Sequence, residues 1–124
     1  MENRIYKFRA YSKRKNIIFE VGSLELNENY ITDKERKIYL KEDVEIMQFT
    51  GLLDKNGVRI YEGDVVETPH KLFKKYKWEV LFHKGAFVLA DKVGGGFRRF
   101  DSEKWTKSYE IIGNVWENPD LLKP

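Results

Sequence analysis

The side chains with the clearest chemical potential lie in residues 71–78, where lysines alternate with large apolar and aromatic residues. The members considered as contacts are Lys71, Lys74, Lys75, Lys77 and Trp78. Ammonium groups neutralise phosphates and aromatic rings stack on bases, so the pattern is typical of a nucleic-acid-binding surface. Arg98 and Arg99, and the basic run 13–15, would extend that surface. The same segment also fits a solvated hairpin whose lysines prevent edge-to-edge strand pairing. Both interpretations stay open.

The overall charge limits the first interpretation. The chain has 124 residues, with 23 Lys and Arg against 20 Asp and Glu, which gives a formal net charge of +3. That excess is small beside the charge of dedicated nucleic-acid binders. Segment 71–78 is also too short and too broken to lie on a membrane as an amphipathic anchor.

Metal and cofactor chemistry finds little support in the sequence. His70 and His83 are the only histidines, and the chain has no cysteine. A zinc site would therefore need a carboxylate as its third ligand. The run 54–57 starts like a calcium loop but lacks the Glu that closes such a loop. Gly94–Gly96 lacks the Lys-Ser/Thr ending of a phosphate-binding loop. We expect no metal and no cofactor.

Catalysis is not indicated either. No serine stands in a Gly-x-Ser-x-Gly sequence, which would place a nucleophile on a sharp turn. Two carboxylate pairs, Glu62 with Asp64 and Glu117 with Asp120, are spaced for acid–base work. They lie in predicted turns and caps, where carboxylates commonly accept bonds from nearby backbone N–H groups. The sequence therefore predicts a protein that is not an enzyme.

The elements that position these side chains are short strands. Val, Ile, Tyr, Phe and Trp cluster in runs of four to six between polar turns, and no helical period is sustained. Asn56-Gly57 between two such runs predicts a hairpin with a type I′ turn, in which both central residues have positive φ. Alternation in 78–82 places Trp78, Val80 and Phe82 on one face of a strand.

Two segments near the end of the chain have helical signals. Residues 101–105 are predicted to form a short helix capped by Asp101 or Ser102. Asn118 and Pro119 predict a final helical turn, in which Asn118 caps and Pro119 occupies the first position. Before that turn, the last strand is expected to bend or bulge at Gly113.

The fold predicted from these elements is mainly β and has two parts. Residues 1–49 form an irregular, strand-rich N-terminal portion. Residues 50–124 hold five closely spaced strands, the number and size of a small SH3-like β-barrel, followed by the C-terminal helical turn. A barrel removes exposed sheet edges, and its core comes from alternate positions along each strand.

The compartment is predicted from what the sequence lacks. No apolar run approaches the ~18 residues of a membrane span. The first residues lack the apolar stretch of a secretory signal, and there is no Asn-x-Ser/Thr glycosylation site. We expect a cytoplasmic protein with no membrane partner.

Three stretches resemble the YopX family of phage and prophage proteins, in the same order and at similar spacing. They are residues 7–11 (KFRAY), residues 47–66 (from MQFTGL through DKNG to IYEGDVV) and residues 111–122 (IIGNVWENPDLL). The resemblance spans essentially the whole chain. It implies an SH3-type β-barrel in the C-terminal part with an irregular N-terminal portion, and oligomeric members. It brings no catalytic residue.

The resulting hypothesis is a phage or prophage accessory protein. It would act in the host cytoplasm as a non-enzymatic interaction module that forms a homo-oligomer or binds a protein partner not identified by the sequence. Exposed aromatic side chains suit such contacts because they bury large apolar areas. The alternative is a nucleic-acid-binding protein that uses Lys71, Lys74, Lys75, Lys77 and Trp78 together with Arg98 and Arg99.

Overall fold

The computed structural model describes residues 6–68, 76–91, 95–99 and 108–123. Within them the chain is mainly β, as predicted, and two short 3₁₀ helices span Lys41–Asp43 and Pro119–Leu122. The helix predicted at 101–105 lies outside the described residues. The strands are β1 (Phe8–Ser12), β2 (Ile17–Leu24), β3 (Tyr30–Asp33), β4 (Ile38–Leu40), β5 (Val44–Leu53), β6 (Arg59–Tyr61), β7 (Asp64–Thr68), β8 (Tyr76–His83), β9 (Ala86–Ala90), β10 (Phe97–Arg99) and β11 (Glu110–Asn114).

The chain divides into two compact units, Met1–Phe49 and Thr50–Pro124. In the first unit the strand order is β4-β3-β2-β1-β5, and the described pairs are antiparallel. Its core is formed by one face of this sheet, where Ala10, Ile31, Tyr39 and Val44 are buried. The rings of Phe19 and Tyr39 stack there with centroids 4.1 Å apart. Alternation along β1, β3 and β4 brings these side chains to the same face.

A bulge interrupts the pairing of β2 with β3. The register shifts between Val21 and Ser23, so Gly22 is the extra residue of β2. A Cβ atom on Gly22 would lie 2.2 Å from the backbone oxygen of Asp33. Only glycine permits this approach of the two backbones.

In the second unit, the order of the main sheet is β10-β9-β8-β7-β11, again with antiparallel pairing. Ile60, Val66, Val80, Leu89 and Tyr109 form its buried core. The expected alternation in β8 is present: Trp78 pairs with Val66, Val80 with Leu89 and Phe82 with Phe87 on one face. The bulge expected at Gly113 is also present, since the β11–β7 register shifts between Ile111 and Gly113.

The hairpin predicted at 54–57 forms, but its turn is not of type I′. Gly57 has φ of +80° while Asn56 is absent from the residues with positive φ. The Gly57 N–H donates to the Asp54 oxygen and the Asp54 N–H to the Val58 oxygen. These bonds define a three-residue loop whose last residue, Gly57, has the left-handed conformation. Such loops are also common between antiparallel strands. The turn with positive φ at both central residues is Lys84-Gly85, between β8 and β9.

The far edge of β11 is covered by the β5–β6 hairpin. The Lys55 N–H donates to the Tyr109 oxygen at 2.8 Å, and the Ile111 N–H donates to the Asp54 carboxylate at 3.1 Å. Within the described residues, however, the five strands do not close into a barrel. The coarse expectation of a β-rich second unit is therefore confirmed, and the SH3-like detail stays a prediction.

The C-terminal helical turn is present as Pro119–Leu122, with Asn118 before it and Pro119 in the first turn. The Asn118 side chain does not cap it as expected. Its Oδ1 instead accepts a bond from the Asn114 N–H at 3.2 Å. Across the described residues, none of the helices is both long and apolar enough to cross a membrane.

Candidate interaction surface

The predicted nucleic-acid contacts are only partly within the described residues. Lys71, Lys74 and Lys75 lie outside them. Lys77 and Trp78 lie on β8, whereas Arg98 and Arg99 lie on β10, with β9 between the two strands. The described members of the set are therefore carried by one sheet of the second unit.

Pairing register divides these four residues between the two faces of the sheet. Trp78 pairs with Val66, and Arg98 pairs with Leu89, so both point to the face that carries the core. Lys77 and Arg99 point to the opposite face, because neighbouring residues of a strand alternate. From strand spacing and rise, their Cα atoms lie roughly 16 Å apart. The four side chains do not converge on one point.

Trp78 is held by the core. Its indole is half-buried and packs against the cluster that contains Val66 and Val80. The indole Nε1 donates a hydrogen bond to the Thr68 Oγ1 at 3.0 Å. A ring fixed in this way favours a packing role over base stacking, the two roles that the sequence left open.

Carboxylates surround Lys77 on its face of the sheet. Glu67 stands directly opposite on β7, and Glu79 follows two positions along β8. Glu110 pairs in turn with Glu67 on β11. Because opposite charges on adjacent strands offset one another, the described part of this face has little excess positive charge.

Two phenylalanines of the second-unit sheet are exposed, one on β8 and one on β10. Phe82 is 55% exposed and meets Phe87 edge-on, with ring centroids 5.2 Å apart. Phe97 is 57% exposed and stacks on the His83 imidazole at 4.2 Å. Phe82 lies on β8 and points to the face that carries the core, whereas Phe97 lies on β10 and points to the opposite face. We call Phe97 and the strand β10 the aromatic edge. Sequence reasoning missed it, because exposure of alternate residues depends on what covers each face.

The backbone of β10 also presents hydrogen-bonding groups at this edge. The Asp91 N–H donates to the Gly96 oxygen at 3.1 Å, which makes 91 and 96 a hydrogen-bonded pair. Bonded and non-bonded pairs alternate in an antiparallel ladder. The N–H and C=O groups of Phe97 and Arg99 therefore point away from β9. Among the described residues, β10 is the last strand on this side of the sheet.

The residues tested for metal and acid–base chemistry have other roles here. His70 lies outside the described residues, and His83 is stacked on Phe97. Within the described residues no three His, Cys, Asp or Glu side chains are grouped to hold a metal ion. Asp64 is buried and accepts from the Tyr61 N–H at 2.8 Å, and Glu117 accepts from the Asn114 Nδ2 at 2.8 Å.

The Asp54 carboxylate accepts three backbone hydrogen bonds in the second unit. It is buried, and its Oδ1 accepts from the Asn56 and Val58 N–H groups at 2.8 and 2.9 Å. Its Oδ2 accepts from the Ile111 N–H. Three backbone donors use the lone pairs that a catalytic carboxylate would offer to a substrate. Its role is to tie the hairpin to β11.

Comparison with known proteins identifies relatives of this fold. Residues 7–123 match the model of the YopX protein family. The crystal structure of protein EF1440 from Enterococcus faecalis is similar over 98% of this chain and 100% of that one, with a TM-score of 0.66 and 25% identity. The crystal structure of YopX from Bacillus subtilis covers 94% and 98%, with a TM-score of 0.66 and 17% identity. No curated protein matches the chain.

Proposed function

The chain belongs to the YopX family, and on that premise we propose that it is a non-enzymatic accessory protein of a phage or prophage. It acts in the host cytoplasm by self-association through the aromatic edge. The observation that carries the proposal is the exposure of Phe97 on β10, a strand on which the N–H and C=O groups of Phe97 and Arg99 point away from β9. Large apolar side chains beside the outermost described strand of a sheet are typical of interfaces.

The edge is self-complementary in sequence. An antiparallel pairing of two copies about Arg98 sets Phe97 of one copy opposite Arg99 of the other, twice. The N–H and C=O groups of both residues point away from β9, which is the direction that backbone pairing with a second copy requires. A guanidinium over an aromatic ring adds a cation–π attraction. This attraction offsets the repulsion of the two exposed Arg98 side chains, which water screens.

The SH3-type barrel implied by the family belongs to the same proposal. The bonds from the β5–β6 hairpin to β11 support it, because they cover one end of the five-stranded sheet. The proposal places the second copy at the opposite end of this sheet, beside β10.

The test is the mass of the protein in solution. Sedimentation velocity on the full chain is expected to show a concentration-dependent rise above the 14.8 kDa monomer, with little dependence on salt. Phe97→Ser is expected to return the protein to the monomer. Val58→Ser is the matched control, because Val58 is 52% exposed on the β5–β6 hairpin, away from β10. A monomer at every concentration, or an unchanged mass for Phe97→Ser, would contradict the proposal.

A second candidate function is nucleic-acid binding. It is favoured by the presence of Lys77, Arg99 and the Phe97 ring on one face of the sheet. Fluorescence anisotropy with labelled single- and double-stranded DNA and RNA tests it. Binding should fall steeply with salt, because bound cations release counterions. The triple change to Ala at Lys74, Lys75 and Lys77 should weaken binding for all sequences and flatten the salt slope.

The control for that experiment removes three lysines elsewhere, at positions 34, 84 and 123. Equal losses in the two triple variants would show a non-specific charge effect and remove segment 71–78 as the contact. Absence of binding at low salt would leave that segment as a solvated hairpin.

A further inference from the structure

Strand β4 forms the outer edge of the sheet in the first unit, within the continuous described range 6–68. The Asp33 N–H donates to the Lys37 oxygen at 3.0 Å, and the Lys41 N–H donates to the Asn29 oxygen at 2.8 Å. These are the bonded pairs of the β3–β4 ladder, and bonded pairs alternate with non-bonded ones. The N–H and C=O groups of Ile38 and Leu40 therefore point outward, away from β3.

The outward residues of β4 also have exposed apolar side chains. Ile38 is 63% and Leu40 38% exposed, and both lie on the face opposite the core. Tyr39, between them, points into the core and stacks on Phe19. An extended segment added beside β4 would find three outward backbone groups and two aliphatic side chains, because the Leu40 C=O accepts the first bond of the Lys41–Asp43 3₁₀ helix.

Cations flank this edge. The ammonium groups of Lys15 and Lys37 are close enough to interact electrostatically. Lys15 also lies 5.0 Å from the centroid of the Tyr39 ring. The pKa of Lys15 is lowered, first by its contact with Lys37 and then by burial. A carboxylate brought to this part of the edge would be attracted by both charges, because nearby opposite charges stabilise one another.

A small cavity joins the apolar and basic parts of the edge. It has a volume of about 130 Å³, and Ile38, Leu40, Arg14 and Lys15 line it with Asp43. The Asp43 carboxylate lies 3.9 Å from the Arg14 guanidinium. It therefore offsets the charge of Arg14 and leaves that of Lys15. Asp33 and Glu35 also lie near Lys37. Asp33 accepts bonds from the Glu35 and Lys37 N–H groups.

Charge decides which partner fits the edge. Pairing with a second copy of β4 in antiparallel register would place Lys37 opposite Lys41 of that copy at both ends of the contact. Like charges directly opposite are destabilising, and Lys15 adds a third cation nearby. No aromatic ring at either end offsets this repulsion, since Tyr39 faces the core. A segment with carboxylates at alternate positions would meet Lys15, Lys37 and Arg14 instead.

We propose that β4 is a docking edge for an extended acidic segment of another protein, bound by strand addition. The segment pairs with the outward backbone of Ile38 and Leu40, its aliphatic side chains cover theirs, and its carboxylates meet Lys15 and Lys37. This edge is separate from the aromatic edge of the second unit. It therefore goes beyond the self-association proposed above, and either proposal can fail alone.

The probe is a fluorescein-labelled octapeptide of alternating Glu and Val, blocked at its C-terminus, titrated with the full chain and followed by anisotropy at 50 mM salt. The counterpart with Lys in place of Glu is the control peptide. We expect saturable binding of the acidic probe that weakens as salt rises. Absence of binding, or equal binding of the Lys peptide, would overturn the proposal.

Leu40→Pro tests the backbone contact without strain. Leu40 has φ of −70°, which proline adopts, and its N–H points away from β3. The substitution removes one outward donor from the edge and should reduce affinity roughly tenfold. Leu40→Val retains the N–H and should bind nearly as well as the wild type. Equal affinities for the Pro and Val variants would exclude strand addition.

The charge contact has its own variant, which also covers the case in which Leu40→Pro fails to fold. Lys15→Glu combined with Lys37→Glu should abolish binding of the acidic probe. Lys84→Glu reverses an exposed charge in the β8–β9 turn and should leave binding unchanged. Equal loss of binding in both charge variants would show non-specific attraction and overturn the proposal. A mass in solution that is lower for Leu40→Pro than for the wild type would also overturn it, because a second copy would then occupy the edge.

Discussion

Asp54 shows how much of the second unit depends on one carboxylate. It accepts bonds from two N–H groups of its own loop and from the Ile111 N–H, 57 residues away in the chain. Asp54→Ala leaves three donors without this acceptor. We expect a loss of about 2–4 kcal/mol in the free energy of unfolding, because hydrogen bonds to a buried charge are strong and their loss is costly. Urea unfolding of the full chain measures it.

The matched control is Asp120→Ala. Asp120 is exposed and pairs with Lys123 across 2.8 Å, with both side chains largely in water. Such pairs contribute little, so stability should stay within about 0.5 kcal/mol of the wild type. Equal effects of the two substitutions would contradict the role given to Asp54.

Asp33 predicts how the stability of the first unit depends on pH. Its pKa is lowered below the usual 3.8, first by the bond from the Lys37 N–H, then by those from the Glu35 N–H and the Tyr39 hydroxyl, with burial opposing. The folded state therefore favours the ionised carboxylate. Its contribution is fully present above the unfolded pKa and is lost as pH falls through the lower folded pKa.

Urea unfolding between pH 2.5 and 6 tests this prediction. The wild type should lose stability as pH falls below about 4, where Asp33 begins to be protonated in the unfolded chain. Asp33→Asn keeps an oxygen acceptor but cannot ionise, so its stability should vary less over the same range. Identical pH profiles for the two proteins would rule out Asp33 as a contributor.

The sequence indicated the turns at these residues but not all of their partners. Asp33 and Asp54 both begin polar runs in which carboxylates commonly accept bonds from the next few N–H groups, which is a local pattern. The bond from Ile111 to Asp54 joins residues distant in sequence, so no local pattern contains it. For the same reason the approach of Lys15 to the Tyr39 ring could not be predicted, because the two residues are distant in sequence.

At the level of elements, the β2–β3 pair depends on the bulge at Gly22. Gly22→Ala would place a methyl group 2.2 Å from the Asp33 backbone oxygen, so one backbone must shift. We expect a loss of about 1–3 kcal/mol, the usual cost of overpacking. Amide hydrogen exchange should accelerate in β2 and β3.

Gly57→Ala is the control for that experiment. Gly57 has φ of +80°, and an added Cβ atom would meet no neighbouring atom. The loss of stability in Gly57→Ala therefore comes from backbone conformation alone, and it affects the second unit. Exchange in β2 and β3 should be unchanged. Equal protection of β2 and β3 in Gly22→Ala and in the wild type would contradict the close approach.

The sequence predicted elements better than their ends and turns. Alternation placed Trp78, Val80 and Phe82 on one face, because a strand allows only two faces. It did not separate the buried Val80 from the exposed Phe82, since that difference depends on neighbouring strands. A type I′ turn was predicted at Asn56-Gly57, but positive φ at both central residues occurs at Lys84-Gly85. The sequence did not indicate this second turn, because Lys rarely adopts positive φ.

For the whole molecule, the two proposed edges differ in the forces that would occupy them. The aromatic edge has the large Phe97 ring, and its association with a second copy would depend little on salt. Strand β4 has clustered lysines and would bind its acidic partner less well as salt rises. The edges share no residue, and each lies in its own compact unit. We therefore expect occupation of one to leave the affinity of the other unchanged.

Phe97→Ser provides the measurement. As a monomer, this variant should bind the Glu-Val octapeptide with the wild-type affinity, and saturating octapeptide should not change the mass of the wild type. Coupling free energies are reciprocal, so the two experiments must agree. A change of about tenfold in the octapeptide affinity, near 1.4 kcal/mol, or a change in the mass of the wild type, would show that self-association and acidic-segment binding are linked. Tighter octapeptide binding by the monomeric variant would mean that the two partners compete, and weaker binding that they cooperate.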